Sequence, residues 1–344
     1  MEENKVYEIA ILGRAVWQLH SLNNEGTVGN VTEPRSVRII DPNTKKAVST
    51  DGISGEMLKH IHTEIMWELS DKNNLCNACK VLNPEKFNAS QNKGNSGEQA
   101  VKNALQSCDI CDVHGFLITR PQVNRKSVIE FGWALGIPEV YRDIHTHARH
   151  SGAMRGIEDQ LNPGEWGNER CQYKGCDTNP EDSPLYKIDG KWYCEAHAPI
   201  SQMVYHRPTR SGVYAVISVF QPWRIGLNEA KTNKYSYDAR ETERKRRYQT
   251  ALKAYQVLFA RPEGAMTTTR LPHVEDFSGV IVYSTKSLPV PVISPLKEDY
   301  ISEIETIANS IDNDLKIIKF SSIAEFAREI KTLMDAKPYK IEIK

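Results

Sequence analysis

The chain has 344 residues, of which 40% are apolar and 26% charged, a composition typical of an ordinary globular protein. Its 44 basic and 44 acidic side chains give a formal net charge of zero, which argues against a protein that coats nucleic acid by its overall charge. We find neither an apolar run near the ~20 residues of a membrane span nor a signal peptide, so we expect a cytoplasmic protein with reduced cysteines and no membrane partner.

Hydrophobic periodicity predicts alternating strands and helices along the chain. In order, they are strand 6–19, strand 37–40, helix 54–70, helix 98–106, strand 113–119, strand 213–220, helix 238–259, strand 280–284, helix 297–310, strand 315–320, helix 323–334 and strand 340–343. Two polar excursions, residues 71–96 and 156–199, interrupt the series. This order is compatible with an α+β, ferredoxin-like sheet that carries large insertions.

The loop within Leu19–Arg38 and the helix after Ser54 form a candidate phosphate-binding surface. The loop is rich in Asn, Gly and Thr, and the helix carries Gly55, Lys59 and His60 in its first turns. Free backbone N–H groups at a helix start, with a lysine and a histidine one turn on, are typical of phosphate recognition. Because no GKS or GKT follows, a nucleotide P-loop is excluded, and the pattern favours a polymer of phosphates.

All seven cysteines fall into two sets with zinc-like spacing. They are Cys76, Cys79, Cys108 and Cys111 in the first set, and Cys171, Cys176 and Cys194 with His197 in the second. Four protein ligands saturate tetrahedral zinc and leave no position for water or substrate, so we predict two structural zinc ions. The long intervals inside each set are typical of staples that close insertions.

Basic residues form three further clusters. Residues 120–127 are a basic turn, residues 145–155 hold three histidines and two arginines, and residues 240–247 hold five cations at a predicted helix start. The helix macrodipole disfavours cations at that end, and we interpret the last cluster as a solvated face.

Three segments resemble, in this order, parts of the DevR-like group of RAMP proteins, the backbone subunits of type I CRISPR interference complexes (Cascade). They are LHSLNNEGTVGNVTEPRSVRI, ISGEMLKHIHTE and DVHGFLITR. Further on, the segment HARHSGAM resembles the family's HNR-type segment. The segment QMVYHRPTRSGVYAVISV resembles the region where the family's thumb returns to the sheet, and SSIAEFAREIKTL resembles the family's terminal helix. The resemblance covers most of residues 6–335.

The resemblance implies a modified RRM-like palm formed by residues 1–70, 112–150 and 205–344. It implies a zinc-bearing finger at 71–111 and a zinc-bearing thumb at 151–204. Such a protein polymerises head to tail along CRISPR RNA, grips about six nucleotides per copy without cleaving them, and presents the spacer to target DNA. Its partners would be crRNA, target DNA, further copies of itself, and the 5′-handle-capping, large and small Cascade subunits.

The expected RNA-binding residues come from three sources. The loop and helix start supply Asn23, Asn24, Ser54, Gly55, Lys59 and His60. The HNR-type segment supplies His147 and Arg149, with Ala148 in place of its middle asparagine. Basic residues at other positions complete the set: Arg14, Arg125, Lys126, Arg207 and Arg270.

Two other functions stay open. Related type III subunits cleave RNA with an acid in the first loop, where this chain has Glu25, and His145, His147 and His150 suit acid–base cleavage of RNA. Two-metal phosphodiester chemistry needs several carboxylates, so a lone Glu25 favours a scaffold over this endoribonuclease. The third function is a zinc-containing DNA-binding autoregulator, against which the neutral charge argues.

Overall fold

The computed structural model describes residues 4–28, 31–91, 93–138, 140–150, 156–198, 202–231, 235–264, 267–311 and 315–342. The chain divides into two compact units. The first comprises Met1–Glu25, Pro34–Asp143 and Thr209–Lys344, and the second comprises Gly26–Glu33 and Ile144–Pro208. The predicted finger, 71–111, lies within the first unit and the predicted thumb, 151–204, within the second. The division into palm, finger and thumb stays a prediction.

The described residues form strands, α-helices and short 3-10 turns in the following order. The strands are β1 (Lys5–Val6), β2 (Glu8–His20), β3 (Asn24–Val28), β4 (Val31–Pro34), β5 (Ser36–Ile40), β6 (Ala47–Ile53), β7 (Phe116–Thr119), β8 (Gln122–Arg125), β9 (Ile129–Phe131), β10 (Ala134–Gly136), β11 (Tyr141–His150), β12 (Ile157–Leu161), β13 (Leu185–Ile188), β14 (Lys191–Cys194), β15 (Gln202–Phe220), β16 (Leu227–Asn228), β17 (Ser236–Tyr237), β18 (His273–Ser284), β19 (Lys316–Phe320) and β20 (Lys337–Pro338). The α-helices are α1 (Gly55–Leu69), α2 (Asn77–Lys80), α3 (Gly97–Ser107), α4 (Asp109–His114), α5 (Glu241–Ala260), α6 (Tyr300–Ile311) and α7 (Ile323–Leu333), with 3-10 turns at Lys72–Asn74, Lys86–Ala89 and Pro222–Arg224.

The main sheet of the first unit contains β2 as an interior strand. Its strand order is β19-β18-β2-β15-β10-β6-β5, and every neighbouring pair is antiparallel. Because side chains alternate along a strand, β2 buries both of its faces. Ile9 and Ile11 belong to a core shared with α1, α5 and α7, whereas Ala10 and Leu12 pack in a second core with α6.

The second unit contains a small antiparallel sheet in the order β12-β13-β14. Asp189 and Gly190, which connect β13 to β14, have φ values of 49° and 72°. An Asp-Gly pair with two positive φ angles is the turn that a two-residue hairpin favours. A small cluster of Trp166, Leu185 and Trp192 packs around Cys194 beside this hairpin.

The mixed architecture of sheets and helices confirms the coarse fold class, whereas the modified RRM topology stays a prediction. Most predicted elements are present, but two predictions are wrong. Val113 lies in α4, and the strand after it begins only at Phe116. Lys340 to Glu342 form no strand, and the nearest one is Lys337–Pro338, paired in parallel with β1. Across the described residues, we find no helix whose length and apolarity would suit a membrane span.

Candidate nucleic-acid interface and metal centres

The first turn of α1 is fixed to the preceding loop by two hydrogen bonds. Buried Asn23 accepts one from the Ser54 backbone N–H at 2.8 Å, and Ser54 Oγ accepts one from the Met57 N–H at 3.2 Å. Ser54 is therefore the N-cap of α1, as the sequence predicts. Both side chains are engaged inside the protein, so a phosphate at this position would meet the backbone of the first turn instead.

Gly55 allows α1 to start directly against the last residue of β9. A Cβ atom at this position would lie 2.3 Å from the carbonyl oxygen of Phe131. Because that distance is shorter than any tolerable contact, only glycine lets the backbone approach so closely. The requirement for Gly55 is thus one of packing.

A groove of about 1000 Å³, which we call the α1 groove, begins at this helix start. Its basic lining residues are Lys59, Lys86, Lys126 and buried Arg125; Glu56, Glu85 and Glu130 border it too. Partly exposed Trp133 and exposed Leu117 provide apolar surface along it. A groove that offers amines, a helix start and an aromatic ring can hold a phosphate backbone and stack a base.

Two lysines of the α1 groove, Lys59 and Lys86, are partly buried. Burial, followed by the charge of Lys86, lowers the pKa of Lys59, although Glu130 and Glu56 oppose this shift. Burial also lowers the pKa of Lys86. Lys126 is exposed and pairs with Glu130 at 2.6 Å. Since an anion bound between them would favour the protonated amines, the groove suits a phosphate.

The structure separates Lys59 from His60. Lys59 lines the α1 groove, whereas exposed His60 borders a smaller cavity and lies 3.3 Å from Glu64. Consecutive residues of a helix do not face the same side, so one phosphate does not meet both. The sequence alone predicts both side chains at one phosphate site.

Three predicted RNA-binding arginines are already engaged or buried within the protein. Arg14 donates to the carbonyl oxygens of Pro295 at 2.8 Å and Lys297 at 3.0 Å. Arg125 is buried and its Nη2 lies 2.5 Å from Asp112 Oδ1. Arg270 is buried as well. The RNA contacts of these three arginines stay predictions.

Two arginines at the basic start of α5, Arg244 and Arg247, are buried, whereas Arg240 is exposed. Arg247 is buried and contacts Asp109 Oδ1 at 2.6 Å and Asp112 Oδ2 at 2.7 Å, and Arg246 pairs with Asp109 at 2.8 Å. Burial opposes the charge of Arg247, but Asp112 and Asp109 outweigh it and raise its pKa. This network ties α5 to α4, so the interpretation of the whole cluster as a solvated face is wrong.

Asn24 borders a buried polar cluster beneath the loop. Its Oδ1 accepts from Ser21 Oγ at 3.2 Å and from Arg210 Nη2 at 3.4 Å. Arg210 Nη1 lies 3.1 Å from Asp51 Oδ2. Burial raises the pKa of Asp51, although the charge of Arg210 opposes this shift. Asn24 and Arg210 thus fix the loop from inside, a role that the sequence analysis did not predict.

Aromatic and basic residues form a stack in the second unit. The rings of His147 and Tyr205 are parallel, with centroids 5.3 Å apart, and the guanidinium carbon of Arg207 lies 4.8 Å from the Tyr205 ring centroid. Such stacked planes suit an unpaired base. The sequence predicts His147 and Arg207 but misses Tyr205, while the side chain of Arg149 lies outside the described residues.

The first cysteine quartet is buried in a small core of its own. The four sulfur atoms lie within 4.8 Å of one another, with Cys76 and Cys79 at 3.9 Å and 3.5 Å from Cys111. Sulfur atoms about 2.3 Å from zinc stand about 3.8 Å apart in a tetrahedron. Burial raises the pKa of Cys111, so a dication would be needed to stabilise its ionised form. The quartet fits a metal ion.

The second quartet has mixed ligands and is partly buried. Cys176 and Cys194 sulfur atoms are 3.6 Å apart, and His197 Nδ1 lies 3.0 Å from Cys194 and 4.0 Å from Cys171. Tetrahedral zinc would place sulfur and nitrogen about 3.6 Å apart, between these two values. This set could therefore also hold a metal ion, with four protein ligands that leave no open position.

Comparison with known proteins identifies a family. A family model described as the CRISPR-associated negative auto-regulator DevR/Csa2 matches residues 11–165 and 193–305. The chain is 22% identical over 321 residues to the CRISPR-associated protein Cas7/Cst2/DevR of Methanocaldococcus jannaschii, covering 90% of each protein. The unmatched residues 166–192 include Cys171 and Cys176, so the family model omits the middle of the second cysteine-bearing insertion.

Two solved structures are also similar. A chain of a CRISPR RNA-guided surveillance complex, pre-nicking, is 8% identical with a TM-score of 0.48, covering 94% of this chain and 99% of that one. Csc2 of Thermofilum pendens is 11% identical with a TM-score of 0.38, covering 97% and 87%. The family assignment rests on the sequence match.

Proposed function

This chain belongs to the CRISPR-associated DevR/Csa2 family, and we propose on that premise that it is a Cas7-type backbone subunit that grips CRISPR RNA by its phosphates. A subunit that carries any guide must hold the backbone and leave base edges free for target DNA. Repeated copies would assemble along one guide, each covering about six nucleotides. The other Cascade subunits, namely the 5′-handle-capping, large and small ones, would join this assembly.

The α1 groove is the observation that supports this function best. It combines the capped start of α1 with Lys59, Lys86 and Lys126. The exposed pair of Lys126 with Glu130 is no obstacle, because surface ion pairs contribute only about 0–1 kcal/mol and a phosphate can replace the carboxylate. Backbone contact of this kind is independent of the guide sequence.

RNA binding by single-residue variants tests the groove. Lys59→Ala should weaken binding of two unrelated single-stranded RNAs by about threefold to tenfold and lower the salt slope by roughly one ion. Lys331→Ala, which removes the same charge from an exposed position on α7, is the matched control. A loss confined to one RNA sequence would indicate base readout, and equal affinities for both variants would exclude the α1 groove.

The second unit would supply further contacts from the strands that flank the thumb. His147, Tyr205 and Arg207 form a stack onto which an unpaired base could pack, and Arg149 lies on the same strand as His147. In this proposal residues 71–111 are the finger, residues 151–204 are the thumb, and the sheet of the first unit is the RRM-like palm.

We further propose that each cysteine quartet binds one structural zinc ion. The donor sets are four cysteines, and three cysteines with one histidine, which are the sets that zinc prefers in structural sites. The ion would hold the two halves of each set together and take no part in chemistry.

The protein is proposed to bind nucleic acid without cleaving it. Glu25 is half-exposed and pairs with Arg35 at 3.7 Å, and neither metal-ligating group found among the described residues includes it. Incubation with guide-complementary RNA and DNA plus Mg²⁺ or Mn²⁺ should therefore leave both intact. Cleavage at regular intervals that Glu25→Ala abolishes would favour an endoribonuclease instead, and tight binding of duplex DNA without RNA would favour an autoregulator.

A further inference from the structure

The first cysteine quartet joins two segments that meet again at the α1 groove. One segment carries Cys79 and continues to Lys86, and the other carries Cys111 in α4 and continues to Gly115. Lys86 Nζ donates to the carbonyl oxygens of His114 at 3.2 Å and Gly115 at 3.0 Å. The quartet and this lysine clamp therefore connect the same two stretches of chain.

The clamp is held in a demanding conformation. Lys86 has a φ of 51°, a left-handed backbone that costs a non-glycine residue energy and persists where its surroundings hold it. Gly115 has a φ of 67°, and a Cβ there would lie 2.2 Å from the Arg125 carbonyl oxygen. Neither residue can shift without disturbing the wall of the α1 groove.

Lys86 also keeps a donor for a ligand. An ammonium group has three N–H donors, and among the described residues the carbonyl oxygens of His114 and Gly115 occupy two of them. The side chain lines the α1 groove together with Lys59 and Lys126. The expected RNA-binding residues derived from the sequence did not include it, because it lies in a polar excursion without a recognisable pattern.

We infer that Lys86 is a further phosphate-binding residue and that the first quartet, when it holds zinc, positions it in the α1 groove. This inference rests on the proposed RNA-binding function. Loss of the metal from the first quartet separates the segment of Cys79 from that of Cys111, which releases the Lys86 clamp and lowers RNA affinity. The second quartet lies in the other unit, so its metal is not needed for this contact.

Four variants and one double variant test the inference with two readouts, bound zinc per chain and the Kd for single-stranded RNA. Lys86→Ala should keep both zinc ions and bind RNA about threefold to tenfold more weakly, and Lys86→Arg should recover part of the affinity. Cys79→Ser should lose one zinc ion and a similar factor in affinity. Cys176→Ser should also lose one zinc ion but bind RNA within about twofold of the wild type.

The double variant separates positioning from general destabilisation. If the quartet acts through Lys86, Cys79→Ser combined with Lys86→Ala should bind no more weakly than Cys79→Ser alone, because the second change removes a contact already lost. Wild-type affinity of Lys86→Ala would overturn the phosphate assignment. Full affinity of a zinc-depleted Cys79→Ser protein would overturn the positioning role. A wild-type protein that binds no RNA would instead remove the proposed function, and this inference with it.

Discussion

At the residue scale, His62 and His114 form a buried pair whose protonation is coupled to folding. The Ala251 carbonyl oxygen can only accept, so His62 Nε2 carries the proton donated to it at 3.0 Å. His62 Nδ1 then accepts from His114 Nε2 at 3.1 Å. Burial lowers the pKa of His62 to about 3, and burial also lowers the pKa of His114. Both rings are therefore neutral in the folded protein at neutral pH.

We expect this pair to destabilise the protein in mild acid. Below the ordinary histidine pKa of about 6.5, the unfolded chain binds protons that the folded rings exclude, so stability falls as pH falls. For His62, acidification to about pH 5 should cost about 2 kcal/mol in the free energy of unfolding, at about 1.4 kcal/mol per pH unit. Measured by urea unfolding, His62→Gln should lose less free energy of unfolding on acidification than the wild type. His60→Gln, a change at an exposed position, should lose as much as the wild type. If all three proteins lose the same free energy of unfolding on acidification, His62 is not the source of the acid sensitivity.

Lys59 is expected to make RNA binding sensitive to alkaline pH. Burial and the charge of Lys86 lower its pKa below the ordinary value of about 10.4, and a phosphate needs the protonated amine. Affinity should therefore decline as pH rises through this lowered pKa. In Lys59→Arg the guanidinium stays protonated, so the Kd measured at about pH 7 and about pH 9.5 should change less than in the wild type. If RNA affinity falls equally at alkaline pH in both proteins, deprotonation of Lys59 is not the cause.

Residue roles could be predicted where they depend on neighbours along the chain. The four-ligand sets were found by spacing, and the structure brings each set together. Ser54 was found as an N-cap for the same reason. The role of Arg125 was not predictable, because it depends on Asp112 and on the Leu227 carbonyl, which comes from a distant segment. A buried arginine and a phosphate-binding arginine look alike in sequence.

At the element scale, the β13–β14 hairpin has a well-defined register and packs beside a small core. The turn at Asp189 and Gly190 fixes the register of the two strands, which pair from Leu185 with Cys194 to Ile188 with Lys191. The cluster beside it has Trp166, Leu185 and Trp192 as its large buried side chains. So small an apolar cluster supplies little stability, and the metal would supply the rest.

Zinc removal should therefore unfold this insertion. A strong zinc chelator should make residues 157–198 sensitive to protease, because structural zinc in small domains contributes folding free energy of about 10 kcal/mol or more. The core around β2 does not depend on metal, so a protease-resistant fragment of the first unit should remain. Cys171→Ser should show the same sensitivity without chelator, and Lys174→Ala, an exposed substitution in the same loop, should not. Resistance of the loop after complete zinc loss would contradict a structural role.

Elements were predictable where their own apolar pattern decides them. Strand β2 and helices α1, α5 and α7 form the first core and were all found from periodicity. α4 was missed because the apolar run from Val113 to Thr119 suits a strand. Its helical turn depends on tertiary contacts, as the carboxylates of Asp109 and Asp112 pair with arginines of α5. Tertiary charge pairing overrode local preference there.

At the scale of the whole molecule, neutral net charge and an RNA-binding groove are compatible only if charge is segregated. The chain has 44 cations and 44 anions, so a surplus of cations gathered in one groove requires an equal surplus of anions elsewhere on the chain. In a head-to-tail assembly, acidic surface on one copy can meet basic surface on the next, and contacts that do not close produce a helical filament.

The second insertion is the part of the chain that we expect to serve this assembly. The family model does not match residues 166–192, and the first unit has its own extensive cores, so we expect the first unit to fold without the insertion. Replacing residues 157–198 by a short Gly-Ser linker should leave a folded protein that binds a short RNA but loses cooperative binding to a long one. Sedimentation and electron microscopy on guides of increasing length measure this loss, with Cys176→Ser as a milder variant that keeps the chain but loosens the insertion. If the shortened protein still forms regular multi-subunit filaments on a long guide, the insertion does not act between copies and must serve another partner of the complex.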